Sequence, residues 1–396
     1  MKEYIPAPKR VSSIDAYRGF VMFLMMAEVL RLGKVAEAFP GSAFWAFLDF
    51  HQSHVEWVGC SLHDMIQPSF SFLVGVALPY SIASRASKEQ STTVMWLHTF
   101  RRSLTLILLG IFLRSMHSEQ TNFTFEDTLT QIGLGYPILF ALGFTGERTQ
   151  WGALAGILFA YGLAFALYSL PGPYFDWSET GNVANWEHNL KGFAAHWNKN
   201  TNIAWAFDRW FLNLFPRPEP FRFNGGGYST LSFIPTLGTM ILGLIAGKWL
   251  KSATSSSTWL LKRLAISAAI LLALALILNF TGLNPIVKRI WTPAWTLFSG
   301  GICMLFLAGF YFLVDVNQRQ KFFFPLIVIG TNSIVAYVMA ETIVSFIDSS
   351  FRINVSQHYD LVFGQNYQPL VRGAIILLVE WAILYWLYVR KIFIRI

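Results

Sequence analysis

Long apolar segments recur from one end of the chain to the other, and they restrict the possible folds more than any other feature. Of the 396 residues, 54% are hydrophobic and only 13% are charged, about half the charged fraction of a typical soluble domain. The sequence therefore predicts an all-α, polytopic membrane helix bundle, formed as a single domain over residues 1–396. Ten segments have nearly the length of roughly 20 residues that crosses a bilayer, namely 14–31, 64–84, 97–116, 127–144, 150–170, 228–249, 261–280, 293–314, 323–346 and 370–391.

The distribution of Lys and Arg predicts how these segments are oriented. Basic residues concentrate in alternate connections, whereas the connections between them mix bases with acids. Because Lys and Arg favour the cytoplasmic side, we predict that both termini are cytoplasmic. The formal charge of +8 comes from these helix flanks, so we do not expect nucleic acid as a partner. The bases on the predicted inner side are Lys9, Arg10, Arg85, Lys88, Arg148, Lys248, Lys251, Lys262, Arg263, Arg319, Lys321, Arg390, Lys391 and Arg395.

The first 20 residues lack the short apolar core and cleavage site of a secretory signal, so we expect the first span to be retained. The compact chain favours a multi-pass protein of the bacterial inner (plasma) membrane.

A long external loop, residues 171–227, is rich in tryptophan. Loops of this length are usually functional or disordered, and its aromatic content argues against disorder. Aromatic faces beside Asn, Asp and Arg suit a sugar, whose hydroxyls need hydrogen bonds. An aromatic belt at the membrane surface is the alternative. The tryptophans are Trp177, Trp186, Trp197, Trp205 and Trp210.

Three ionisable residues lie at the mouth of the second span. His54, His63 and Asp64 fall within the segment HVEWVGCSLHD. Ionisable groups at membrane depth are costly unless they are paired or hydrated, so they indicate a functional site. A histidine exchanges protons near neutral pH, and a carboxylate can hold its tautomer. We predict that His54 and Asp64 are catalytic.

A metal site at the same place is the alternative. His51, His54, His63 and Asp64 could ligate a metal ion, but their spacing does not match a known zinc pattern. The two cysteines, Cys60 and Cys303, exclude a cysteine cluster. We therefore expect no metal, and we expect His51 and His63 to be interfacial or to lie outside the reacting groups.

A short polar motif precedes the first span. On a helix, Asp15 and Arg18 are three residues apart and can form an ion pair, and Ser13 can cap the helix. The pair is either purely structural, or Arg18 receives a phosphate from a cytoplasmic cofactor, which its fork of donors suits.

These two motifs resemble the heparan-α-glucosaminide N-acetyltransferase family of transmembrane acyltransferases, in a bacterial-type form without the luminal domain of the animal enzymes. The resemblance extends over nearly the whole chain. The first motif is carried by Ser13, Asp15, Arg18 and Gly19, and the second by His54, Trp57, Gly59, Asp64, Pro68, Phe70, Phe72 and Gly75. Further matches are Gly133, Tyr136, Leu237-Gly238-Thr239, Ala246-Gly247-Lys248, Trp291, Val314-Asp315-Val316, Asn332-Ser333-Ile334 and Tyr337.

The resemblance implies an enzyme that moves an acetyl group from cytoplasmic acetyl-CoA to the amino group of a terminal glucosamine on the far side. By this match, His54 is the catalytic histidine and Asp64 its acidic partner. His54 either becomes an acetyl-imidazole or acts as a general base for direct transfer; we favour the second. Basic residues near the inner helix ends are expected to hold the phosphates of acetyl-CoA: Arg18, Arg101, Arg102 and Lys248.

The chain departs from the family pattern at two positions that bear on the acceptor. The family tends to carry an Asn near the outer end of the first motif helix, where this chain reads Ala27-Glu28-Val29, and Gln131 stands where relatives have Arg. Glu28 could bind a cationic amine or pair with Arg31. We predict that the acceptor is contacted by Glu28, Gln131, Trp57, Asn332 and Ser333, although Asn332 and Ser333 could instead join helices. We expect Glu341 and Glu380 to face the bundle interior.

Two alternatives remain for the function. The nearer one is an O-acyltransferase that modifies a surface glycan hydroxyl with the same histidine. The other is a proton-coupled solute transporter, although we find no repeat of the kind that builds such transporters. The expected partners are acetyl-CoA, an amino sugar or glycan acceptor and membrane lipid, and a homodimer stays open.

Overall fold

Helices dominate the chain. The computed structural model describes residues 11–181, 183–253 and 257–394, and the only β pairing in these ranges is an isolated bridge between Val58 and Val287. The predicted all-α bundle is confirmed. The α-helices of the described ranges are α1 (Ser12–Met26), α2 (Leu32–Ala38), α3 (Ala43–Gln52), α4 (Ile66–Ala86), α5 (Thr92–Ser115), α6 (Thr128–Gly143), α7 (Glu147–Leu167), α8 (Ile203–Phe211), α9 (Phe233–Ser252), α10 (Ser257–Phe280), α11 (Pro293–Phe310), α12 (Phe324–Thr331), α13 (Ser333–Thr342), α14 (Val344–Asn354) and α15 (Gln368–Val389).

Fewer helices than predicted are long and apolar enough to cross a membrane. The described residues contain 7 such helices, or up to 8 if the pair α12 and α13, bent by 83°, forms one span. Each of the ten predicted segments does contain a helix, and the seven long apolar helices are those expected of a multi-pass integral membrane protein. The qualifying helices are α4, α5, α7, α9, α10, α11 and α15 with their flanking turns.

Two predicted spans are shorter than expected. The helix α1 has 15 residues, because the chain tightens into a 3₁₀ turn at Ala27–Leu30 and stops at Arg31, whose φ of 48° ends any helix. The helix α6 has 16 residues between its Asp127 cap and Phe144. The apolar composition therefore predicted both helices longer than they are.

Three of the basic residues on which the predicted orientation rests, Lys9, Arg10 and Arg395, lie outside the described residues.

The chain divides into two compact units, each built from separate stretches of sequence. The large unit comprises residues 56–59 and 68–308, and the small unit comprises residues 11–55, 60–67 and 309–394. Because both units interleave along the chain, neither is a sequential domain.

Helix α9 is the centre of the large unit. Its most apolar window is 83% buried, whereas the other candidate spans reach at most 56%. Its glycines allow α4 to approach closely: a Cβ on Gly243 would overlap the Phe72 carbonyl, and one on Gly247 the Val76 carbonyl. Small residues at such crossings are the usual means of close helix packing in membranes.

The small unit is organised around the crossing of α1 and α12. A Cβ on Gly19 would overlap the Leu326 carbonyl, and one on Gly330 would overlap the Asp15 carbonyl. The two glycines thus bring the helix backbones into direct contact.

The long loop 171–227 folds into short helices in the large unit, and its buried aromatic side chains pack against α7. Trp197 is 1% exposed and stacks on Phe165, with ring centroids 4.6 Å apart. Trp205 is buried as well, whereas Trp210 is 61% exposed. The buried tryptophans are therefore core residues, a third role beside sugar stacking and the aromatic belt.

Candidate active site

His54 and Asp64 form a direct pair in the small unit. His54 follows α3, and Asp64 lies in a 3₁₀ turn, His63–Met65, that leads into α4. The distance from His54 Nδ1 to Asp64 Oδ1 is 2.8 Å, and the side chains are 36% and 1% exposed. When Nδ1–H donates to the carboxylate, the basic lone pair of the neutral ring lies on Nε2. The arrangement can therefore accept a proton or attack a carbonyl at Nε2.

The Asp64 carboxylate is positioned by its own loop. The backbone N–H groups of Val55 and Ser61 donate to Oδ2 at 3.2 and 3.0 Å, and the Ser61 hydroxyl lies 3.0 Å from the same atom. His51 on α3 contacts the same loop, because its Nδ1 accepts a hydrogen bond from the Leu62 N–H at 3.2 Å. These donors satisfy the lone pairs of the buried carboxylate and hold it in one orientation.

A second histidine–carboxylate pair lies beside the first. His63 Nε2 is 3.1 Å from Glu28 Oε1, and the side chains are 8% and 54% exposed. The rings of His54 and His63 are in contact, with centroids 4.5 Å apart. The sequence predicted that His63 is interfacial or lies outside the reacting groups; the structure places its buried ring against His54. The available signal was the departure from the family pattern at Glu28.

The structure does not form the alternative ion pair between Glu28 and Arg31. Glu28 lies in the 3₁₀ turn after α1, and Arg31 adopts a left-handed backbone at the end of that turn. The Glu28 carboxylate is directed to His63 instead.

In the described ranges, no three His, Cys, Asp or Glu side chains converge in a way that could hold a metal ion.

The polar motif at the start of α1 forms one of its two predicted contacts. The Asp15–Arg18 pair is present, with 3.6 Å between Oδ1 and Nη1. Ser13 is not the cap, because α1 begins at Ser12 after the extended residue Val11. The Ser13 N–H donates to Asp315 Oδ2 at 3.2 Å. A carboxylate from a distant segment thus satisfies the helix N-terminus.

The basic residues predicted for acetyl-CoA in the large unit do not all lie at helix ends. Arg102 is near the middle of α5, where it donates to the Tyr136 hydroxyl at 2.9 Å and lies over that ring. Arg101 beside it is exposed. Lys248 is near the end of α9 and donates to the Thr145 carbonyl at 2.6 Å. The expectation of an inner-end position is therefore wrong for Arg101 and Arg102.

Two of the residues predicted to contact the acceptor are enclosed in the large unit. Trp57 is 1% exposed, and its Nε1–H donates to the Trp197 carbonyl at 3.2 Å. Gln131 is 2% exposed and accepts from the Thr236 hydroxyl at 2.8 Å. Neither side chain presents an open face in this structure, and both make contacts inside the large unit.

Asn332 makes contacts of the kind expected from the alternative prediction, in which it joins separate segments. Asn332 lies at the bend between α12 and α13, where its amide donates to the Ile392 carbonyl and accepts from the Ile394 N–H. The neighbouring Ser333 is half-buried. Glu380 is fully buried, as expected, whereas Glu341 is exposed near the end of α13.

Comparison with known proteins identifies relatives that match nearly the whole chain. No protein-family model matches. The chain is 24% identical to the heparan-α-glucosaminide N-acetyltransferase of Homo sapiens over 98% of its residues, and 22% identical to that of Mus musculus over 100%. The matches cover 60% and 62% of those proteins, so the chain spans about three fifths of their length. The resemblance carried by the two motifs is thereby confirmed: the chain is a distant relative of the heparan-α-glucosaminide N-acetyltransferases.

Proposed function

We propose that the protein transfers an acetyl group from acetyl-CoA to the amino group of a glucosamine-type sugar. The observation that carries this proposal is the 2.8 Å contact between His54 Nδ1 and Asp64, with the imidazole partly exposed and the carboxylate buried. The relatives' names support the class of reaction.

His54 is proposed to act as a general base. Its Nε2 takes a proton from the sugar ammonium, and the freed amine attacks the thioester carbonyl. The carbon–sulfur bond then breaks, and the CoA thiolate leaves and is protonated. Asp64 stabilises the imidazolium that forms and holds the ring in one tautomer. An acetyl-imidazole at the same Nε2 is the alternative route.

Arg18 is the proposed contact for a phosphate of acetyl-CoA in the small unit. It lies ten positions before Glu28 on the path formed by α1 and its terminal turn, a separation of roughly 15 Å along the helix axis. A phosphate at Arg18 and a thioester at His54 therefore need a long linker, which the pantetheine arm supplies.

The donor is proposed to bind from the cytoplasm and the acceptor from the opposite side. The excess of Lys and Arg in alternate connections supports cytoplasmic termini. The loop 171–227 then faces the acceptor side, where its exposed Trp210 could stack on a sugar.

The test uses purified protein in detergent with radiolabelled acetyl-CoA and glucosamine. We expect label on the amine with the wild type and none with His54→Ala. The matched control is His358→Ala, because His358 is an exposed histidine of the same unit. Normal turnover by His54→Ala would refute the mechanism.

The remaining outcomes separate the alternatives. Label on a glycan hydroxyl instead of the amine would identify an O-acyltransferase, in which the same histidine serves as the base. Failure to bind acetyl-CoA, together with uptake of an intact solute into vesicles, would identify a transporter.

A further inference from the structure

The small unit holds two histidine–carboxylate pairs whose imidazoles touch. Asp64 pairs with His54 at 2.8 Å, and Glu28 pairs with His63 at 3.1 Å. The two carboxylates differ in environment, since Asp64 is 1% exposed and Glu28 is 54% exposed. In the first pair the imidazole is the exposed member, and in the second pair the carboxylate is, so the second pair ends at the surface in a carboxylate.

Acetyl transfer to an ammonium releases one proton in each turnover. The sugar ammonium and acetyl-CoA give the amide, free CoA thiol and one H⁺. Of the two protons that the nitrogen loses, one neutralises the thiolate and the other must leave the site. Transfer to a hydroxyl releases none, because its single proton goes to the thiolate.

His54 needs a partner for this release when an acceptor is bound. Its side chain is only 36% exposed, and a sugar whose amine contacts Nε2 covers that face. The imidazolium then has restricted access to water. The adjacent His63 ring, 4.5 Å away between centroids, offers a route through the protein, directly or by one bridging water.

We propose that His63 and Glu28 form a proton-release pair that carries the acceptor's proton from His54 to the solvent. The proposal rests on the proposed transfer to an amino group. His63 accepts the proton at Nδ1 and passes the proton on Nε2 to the Glu28 carboxylate. Glu28, which is more than half exposed, gives it to water. His63 is then left with its proton on Nδ1, and a flip of the ring returns an N–H to Glu28 before the next turnover.

The test compares turnover by Glu28→Gln and His63→Gln with the wild type at saturating glucosamine and acetyl-CoA. We expect kcat to fall about tenfold or more in both variants, with an unchanged KM for acetyl-CoA. Formate or imidazole in the buffer should restore part of the lost kcat, because a small proton carrier replaces the missing pair. The control is Glu37→Gln, which removes an exposed carboxylate paired with Lys34 on α2.

Each other result counts against the pair. An unchanged kcat in both variants would overturn the proposal. A loss that no buffer restores, with acetyl-CoA still bound, would show that Glu28 and His63 only support the fold of the site. If the wild type acetylates hydroxyls but no amine, no proton needs release and the role is lost. If the wild type transfers no acetyl group at all, the proposed function itself fails.

Discussion

At the scale of single residues, charge in the small unit is organised as pairs. Asp64 is buried and fully engaged: two backbone N–H groups and the Ser61 hydroxyl surround Oδ2, and His54 occupies Oδ1. The same loop contacts α3 through His51. The carboxylate therefore has two roles: it orients the imidazole, and it closes the loop.

Asp64→Asn should lower kcat by about 10²- to 10⁴-fold. The amide keeps the shape of the side chain but cannot stabilise an imidazolium, and its NH₂ group meets N–H donors from Val55 and Ser61. Steady-state acetyl transfer measures this effect, and binding of acetyl-CoA by the variant is the folding control. Activity within threefold of the wild type would remove Asp64 from the mechanism.

At the scale of elements, the end of the long loop 171–227 is held in place by a buried carboxyl group. Asp208 on α8 is 2% exposed, and its Oδ2 accepts from the Thr230 N–H at 2.9 Å. Burial raises the pKa of Asp208 to about 7; Glu126 adds to the rise, and the Thr230 hydrogen bond and Arg217 oppose it. The folded loop therefore favours the neutral acid.

The loop should become less stable as the pH rises from about 4 to about 7. The folded pKa lies above the unfolded value of 3.8, so the unfolded loop ionises first and the folded state loses a few kcal/mol across that range. Hydrogen exchange of residues 203–211 should be faster at pH 8 than the intrinsic rate change alone explains. In Asp208→Asn this excess should disappear, and an identical pH profile in the variant would contradict the assignment.

The crossing of α1 and α12 offers a second test at this scale. Gly19→Ala should lower the free energy of unfolding by about 1–3 kcal/mol, because the new Cβ overlaps the Leu326 carbonyl. Gly152→Ala on α7 is the matched control, since nothing lies within 4 Å of its Cβ position. Thermal unfolding in detergent compares the two. Equal Tm values for the two variants would show that α1 and α12 can move apart without loss of stability, and would contradict the prediction.

At the scale of the whole molecule, the orientation depends on how many helices cross the membrane, and α6 is the helix whose crossing has to be tested. The helix α6 has 16 residues, a length of about 24 Å, against a hydrocarbon core of about 30 Å. Between residues 88 and 178 the chain passes through α5, α6 and α7. If α6 crosses, these positions lie on opposite sides of the membrane, as the predicted orientation requires.

Labelling of single cysteines decides this question. We expect an impermeant maleimide added to sealed, right-side-out vesicles to modify Ser178→Cys and leave Lys88→Cys unmodified. The background is Cys60→Ser, and the remaining Cys303 is buried. Equal labelling of both positions would show that α6 does not cross.

The sequence by itself determined the all-helical membrane architecture and the nearness of His54 to Asp64. Apolar segment length is a local property, and a short loop brings two residues ten positions apart together. Only the tertiary structure decided the His63–Glu28 pair, the Asp315 contact at α1 and the partners of Asn332. These contacts join distant segments, and close packing at glycines sets which side chains meet. The spacing of residues along one helix cannot predict these contacts, because it carries no information about which other helix packs against that face.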